Sequence, residues 1–404
     1  MNQIVLPGKL AGKVEVPSSK SMAHRYLLCA ALAKGESRVG NVSFSADIAA
    51  TLNGVSALGG AFSSAGREVR VTGGTPRGPM DIDCGESGST LRFLIPIALA
   101  AGEGLPVTFR GHGRLMERPL DPYFQIFREK GVAWRQEGAS LTVEGRLPGG
   151  SYSLSGKVSS QFVTGLLLAL SLLPEPSEIV ITDALESRAY VDMTLSAMAA
   201  FGVRAENRDY RRFCLPGGQA YRPRTCRVEG DWSQAAFFLG SNFLGSRTEV
   251  LGMNPDSLQG DRAVVSILER MSSPGDCTVD AGEIPDLIPA LAVCAAGREG
   301  RTRFVNAARL RLKESDRLET TADLLRSLGG RADTGPDFLE VTGLGALRGG
   351  QADSHNDHRI AMAAAVAAAV CREPVEVLGA ECVAKSYPDF WRDYQALGGR
   401  VREE

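Results

Sequence analysis

Along this chain, apolar-rich runs of helical length repeatedly close on glycine, and a short alternating run closed by another glycine follows each of them. The closing points are Leu58-Gly59, Lys130-Gly131, Phe201-Gly202, Leu328-Gly329 and Leu397-Gly398. They recur about every seventy residues, with one gap of double length, as expected of an internal repeat. The missing closure falls near Leu268 to Met271, where a helix-like run meets Ser-Ser-Pro-Gly. In the first unit the pattern predicts a strand (Lys13 to Val16), a helix (Ser21 to Ala33), a strand (Ser37 to Val42), a helix (Ala46 to Leu58) and a hairpin (Ala61 to Ser64 with Val69 to Thr72). That order is βαβαββ. Six such units predict twelve helices, among them Ser89 to Ala101, Ser160 to Leu173, Val191 to Phe201, Trp232 to Leu244 and Ile288 to Ala296.

Length turns the repeat into domains. At 404 residues the chain exceeds the roughly 250 to 300 residues that a single core usually supports, so three repeats in each of two domains are expected, with the break between Arg224 and Gly230. Hydrophobic residues make up 44% and charged residues 23%, the balance of a folded globular protein. A formal net charge of −2 gives no overall pull toward nucleic acid or anionic membrane, so anion binding has to come from local cation clusters and small ligands are the expected partners. The eight cysteines stand singly, with no C-x-x-C pair and no histidine at metal-ligand spacing, and read as reduced core thiols. No apolar run has the length of a membrane span, and Met1 to Gly12 lacks the apolar core of a signal peptide, which makes the cytoplasm the expected location.

Polar chemistry gathers at predicted helix entrances. Ser18, Ser19, Lys20, Ser21 and Arg25 precede or open the helix through Ala33, where N–H groups without helical partners and the positive dipole end favour an anion. Taken alone, this tract reads first as an ordinary capped helix. Comparable crowding recurs at Cys84 to Thr90, Arg114 to Pro119, Val158 to Gln161, Leu312 to Arg317, His355 to Arg359 and Ala384 to Asp389. Each has a bland counterpart as a turn, a cap or a solvated ion pair worth under about 1 kcal/mol. The glycine loop at Gly85 to Thr90 has neither the P-loop ending nor the dinucleotide spacing. A zinc site at His355, Asp357 and His358 lacks a ligand-spacing signature, and Arg359 would repel the cation.

In order along the chain, SSKSMAHR, GESGSTLR, MERP, SSQF, SRAYVDMT, VEGDWSQAAFF, LKESDR, NDHR and AKSYPDF resemble the 5-enolpyruvylshikimate-3-phosphate synthase family over nearly the whole length. The resemblance implies an α/β fold: a two-domain inside-out α/β barrel of six βαβαββ repeats, three per domain. It also implies that the amino-terminal strand joins the second domain, which gives a first domain at 13–226, a second at 1–12 plus 227–404, and an active site in the cleft. The implied reaction transfers the enolpyruvyl group of phosphoenolpyruvate to the 5-hydroxyl of shikimate 3-phosphate, releasing phosphate, with no cofactor and no metal. The implied partners are those two small molecules, with no nucleic acid, no membrane and a monomeric chain.

Residue by residue, the resemblance assigns shikimate 3-phosphate to Ser21, Arg25, Ser159, Ser160, Gln161, Ser187, Tyr190, Asp286 and Lys313. It assigns phosphoenolpyruvate to Gly88, Arg118, Gln161, Arg317, Arg359 and Lys385, with Lys20 touching both. Asp286 is implied as the base for the 5-hydroxyl, and Glu314 or Lys20 as the group handling the methylene proton. His358 is implied as a support for Arg359, and His24 as a bystander. The chain departs from the family's familiar pattern at Glu86 and Arg309, each in place of an Asn, and at Ser89, in place of an Ala. The related transferase acting on UDP-N-acetylglucosamine is disfavoured, because Lys20 is followed by Ser21 rather than Asn and Gly111 to Arg118 holds no cysteine.

Overall fold

The computed structural model describes residues 1–403, which form twelve α-helices, short 3-10 turns and six sheets. The chain divides into two compact units, Ser18–Glu229 and Met1–Pro17 with Gly230–Glu404. Five of the sheets have four strands in one plan, clearest at Met80–Asp83, which runs parallel to Val107–Arg110. Val107–Arg110 then pairs antiparallel with Ser140–Glu144, itself in a hairpin with Ala133–Glu137.

Two sheets depart from the sequence reading of the repeat. The strand Glu36–Gly40 takes its parallel neighbour from Thr225–Arg227, at the far end of its unit, and not from the segment just before the first helix. That segment, Ala11–Glu15, instead runs parallel to Arg247–Leu251 in a two-stranded sheet of the other unit. The sheet has only two strands because the helix Val264–Met271 leads through Ser272 to Gly275 directly into Cys277–Asp280, leaving no length for a hairpin. This is the repeat in which the glycine closure was missing. Gln3–Val5 lies between Val375–Leu378 and Val401–Glu403, antiparallel to both.

In each unit the most apolar helices are enclosed and the sheets face outward. Ile288–Ala296 and His358–Ala367 are buried along their whole length in one unit, as is most of Gly88–Ala101 in the other. None of the three needs an amphipathic stripe, because no side meets water. The sheet strands alternate, with Val39, Val69 and Val71 buried while Arg38 and Arg70 point out. Gly165 sets the closeness of two enclosed helices: a Cβ there would lie 2.4 Å from the Arg92 carbonyl and 2.4 Å from the Tyr123 hydroxyl. The helices Gly88–Ala101 and Ser160–Leu170 therefore pack nearly backbone to backbone, and their polar N-terminal residues meet.

Candidate functional site

In the Ser18–Glu229 unit, Ser19 caps the first helix by accepting from the Met22 N–H at 3.3 Å, so Lys20 and Ser21 open the first turn. Lys20 reaches Asp47 at 2.6 Å. Arg25, one turn further on, is buried, and its donors go to Thr194 Oγ1 (2.8 Å), Thr164 Oγ1 (3.2 Å), the Tyr190 carbonyl (2.8 Å) and the Ser21 carbonyl (2.6 Å). Its guanidinium also lies 5.4 Å from the centre of the Phe93 ring and 6.0 Å from that of Tyr190. Among the described residues, hydroxyl and carbonyl oxygens meet Arg25 and no carboxylate pairs with it. Burial accordingly pulls its pKa down to about 10. A buried cation held only by neutral oxygens is an unfinished ion pair that an anion would complete.

The neighbouring helix entrances supply neutral donors. Ser159 caps its helix by accepting from the Gln161 N–H at 3.3 Å, with Ser160 buried beside it. Gln161 Oε1 accepts from Arg92 Nη1 at 2.7 Å, and Gln161 Nε2 donates to Ser89 Oγ at 3.0 Å. Because a guanidinium has only donors, Arg92 fixes which end of the amide carries oxygen. Ser187 sits at the entrance of the helix Arg188–Ala200 in the left-handed region, at φ 55°. Gly88 opens the helix capped by Ser87, and a Cβ on it would lie 2.8 Å from Arg118 Nη1. The missing side chain is what lets the guanidinium rest on that helix end.

The other unit assembles a denser group. Arg317 is almost wholly buried, and three carboxylates surround it: Asp357 meets Nε at 2.9 Å and Nη2 at 3.3 Å, Asp286 meets Nη1 at 2.9 Å, and Glu314 meets Nη2. These charges raise its pKa against the opposing effect of burial. The bland reading of Leu312 to Arg317 as a solvated ion pair is thus corrected, because Arg317 is buried. Asp316, the neighbouring acid, caps the helix by accepting from the Glu319 N–H at 3.2 Å. Arg359 donates to Asp286 Oδ2 at 2.8 Å and to Ser233 Oγ at 3.1 Å. Lys313 Nζ lies 3.3 Å from Asp286 Oδ1. Burial lowers the Lys313 pKa to about 8, with Asp286 and Glu314 opposing the shift and Arg317 and Arg309 adding to it. Lys385 Nζ donates to the Asn356 carbonyl at 2.7 Å.

Within each unit, therefore, most of the residues picked from the sequence stand in contact or one partner apart. Sequence reasoning did not pick Asp47, Arg92, Thr164, Thr194, Ser233 and Asp357, which hold those residues in place. Asp47 and Asp357 had a local signal, an acid at a helix entrance, but that signal does not separate a cap from a partner of a buried cation. His24 contacts no group of the site: it is buried, with Nδ1 2.7 Å from Thr51 Oγ1.

A family model described as EPSP synthase (3-phosphoshikimate 1-carboxyvinyltransferase) matches residues 5–394. The 3-phosphoshikimate 1-carboxyvinyltransferase of Clostridium perfringens is 43% identical over 422 residues, covering 99% of each chain. That of Clostridium acetobutylicum is 44% identical over 418 residues, covering 98% of this chain and 97% of its own. Among solved structures, EPSP synthase from Acinetobacter baumannii superposes with a TM-score of 0.80 at 25% identity, covering the whole of both chains. No helix among the described residues is long and apolar enough to cross a membrane. By full-length match in both sequence and fold, the chain belongs to the EPSP synthase (3-phosphoshikimate 1-carboxyvinyltransferase) family.

Proposed function

We propose that this chain, as a cytoplasmic monomer, transfers the enolpyruvyl group of phosphoenolpyruvate to the 5-hydroxyl of shikimate 3-phosphate and releases phosphate, a step toward aromatic amino acids. The observation that carries the reading is Asp286, a carboxylate within hydrogen-bond reach of Lys313, Arg317 and Arg359. The reaction needs cations to hold two anionic reactants and a carboxylate to accept the hydroxyl proton, and this cluster offers both. Lys20, Ser21, Arg25, Ser159, Ser160, Gln161, Ser187, Tyr190, Asp286 and Lys313 would hold shikimate 3-phosphate. Lys20, Gly88, Arg118, Gln161, Arg317, Arg359 and Lys385 would hold phosphoenolpyruvate, so Lys20 would touch both substrates.

In this reading Asp286 accepts the 5-hydroxyl proton while Glu314 or Lys20 protonates the methylene carbon. That carbon then gives its proton back as phosphate leaves the tetrahedral adduct. Each transfer supplies about 10² to 10⁴ in rate, and charge stabilisation by the arginines supplies more. The test is a coupled phosphate-release assay, run separately with shikimate 3-phosphate and with UDP-N-acetylglucosamine. Release with shikimate 3-phosphate alone is expected; release only with the other acceptor, or with neither, overturns the assignment. Asp286→Asn should cut turnover at least about a hundredfold. Unchanged turnover removes Asp286 from the chemistry.

A further inference from the structure

Asp286 stands in two relations to the same cations. It is the carboxylate the reading above uses as a base, and here its two oxygens take the donors that the same reading assigns to substrate oxygens. Oδ1 accepts from Arg317 Nη1 at 2.9 Å and from Lys313 at 3.3 Å, while Oδ2 accepts from Arg359 Nη2 at 2.8 Å. The Asp286 backbone carbonyl holds a second Arg359 donor at 3.2 Å. Arg317 has its Nε edge committed to Asp357, so Nη1 is the edge it turns toward Asp286. Arg359 is restrained by Ser233 on the nitrogen that meets Asp286.

We infer that Asp286 is an internal competitor for the anion seat of Arg317, Arg359 and Lys313, and that an arriving phosphate or carboxylate activates the base by displacing it. An N–H directed at an incoming oxygen is no longer directed at Asp286, so each donor gained by the anion is a donor lost by the carboxylate. A carboxylate clamped by three cations is a poor proton acceptor, and one relieved of them is a better one. Anion binding and base strength are then coupled through shared donors within a few ångströms, and the base gains strength when a phosphorylated reactant is present to use it. This inference rests on the proposed role of Asp286 in the reaction, but its test does not use turnover.

The test is isothermal titration of the full chain and of Asp286→Asn with inorganic phosphate. Asn keeps the shape and one acceptor but removes the competing charge. The expected result is phosphate binding tighter by roughly tenfold or more in the variant, because repulsion and competition for donors both disappear. Equal or weaker binding overturns the inference while leaving the catalytic assignment to be judged by phosphate release. Thermal denaturation of the same pair supplies a second reading should the variant prove too unstable for titration. Phosphate should then raise the melting temperature of Asp286→Asn more than that of the parent chain, and an equal or smaller rise would count against the inference.

Discussion

Replacing Asp357 isolates the group that fixes both site arginines of its unit. Its carboxylate is fully buried, with Oδ2 accepting from Arg317 Nε at 2.9 Å and Ser315 Oγ at 3.1 Å, and Oδ1 capping the helix through the Arg359 N–H at 2.9 Å. Asp357→Ala removes the cap, worth about 1 kcal/mol. It also takes one partner from a buried cation, which costs about 3 to 5 kcal/mol. The lower end applies, since Arg317 retains Asp286 and Glu314. The total is about 4 kcal/mol, a large share of the roughly 5 to 15 kcal/mol that holds a domain folded. Asp357→Asn can keep the cap but not the charge, so it should cost about 1 kcal/mol less than Ala. Urea unfolding followed by the fluorescence of Trp232 and Trp391, both in this unit, reports the loss as a shift in midpoint at unchanged slope. A loss under about 1 kcal/mol for Ala would show that Asp357 does not anchor Arg317.

Two further predictions concern pH. Lys313, lowered to about 8 by burial, should lose its charge in mildly alkaline solution, so KM for shikimate 3-phosphate should climb as pH rises through about 8. Lys313→Arg should flatten the climb, and a constant KM from about pH 7 to about 9.5 would refute the role. For stability the sign is the reverse. Between about 8 and the ordinary lysine value near 10.5 the unfolded chain binds the extra proton, so this group's contribution rises with pH there. His24 is held neutral, its pKa well below the ordinary value through burial first and the charges of Lys20 and Arg25 second. Below about pH 6.5 the unfolded chain takes up a proton that the folded chain refuses, so stability should fall with falling pH by up to about 1.4 kcal/mol per pH unit. His24→Asn should shed that part of the slope in melting curves from about pH 7 to about 5, and an identical slope would exclude His24 as its source.

The repeat was legible because its marks are local. Glycines 59, 131, 202, 329 and 398 all follow helices, all adopt a positive φ and all lead into a strand within a few residues. The pairing of Thr225–Arg227 with Arg38–Gly40 was not legible, because three residues carry too little pattern to name a partner so distant in sequence. The same limit hid the true neighbour of Ala11–Glu15, whose only fully inward residue is Val14. Alternation says that a strand exists and which face is buried; it says nothing about which edge it joins.

At the site, residue type was legible and pairing was not, and pairing decides what each charge does. Arg25 and Arg317 are both arginines in the opening turns of buried helices, yet hydroxyl and carbonyl oxygens surround one while three carboxylates surround the other. The pKa of the first falls and that of the second rises, although burial lowers both. An anion reaching Arg25 gains a cation that no carboxylate has neutralised, while one reaching Arg317 or Arg359 has to take donors from Asp286. Two sites built from the same amino acid thus respond differently to the same phosphate. The difference lies in Thr164, Thr194, Asp286 and Asp357, side chains that the sequence places far from Arg25 and Arg317.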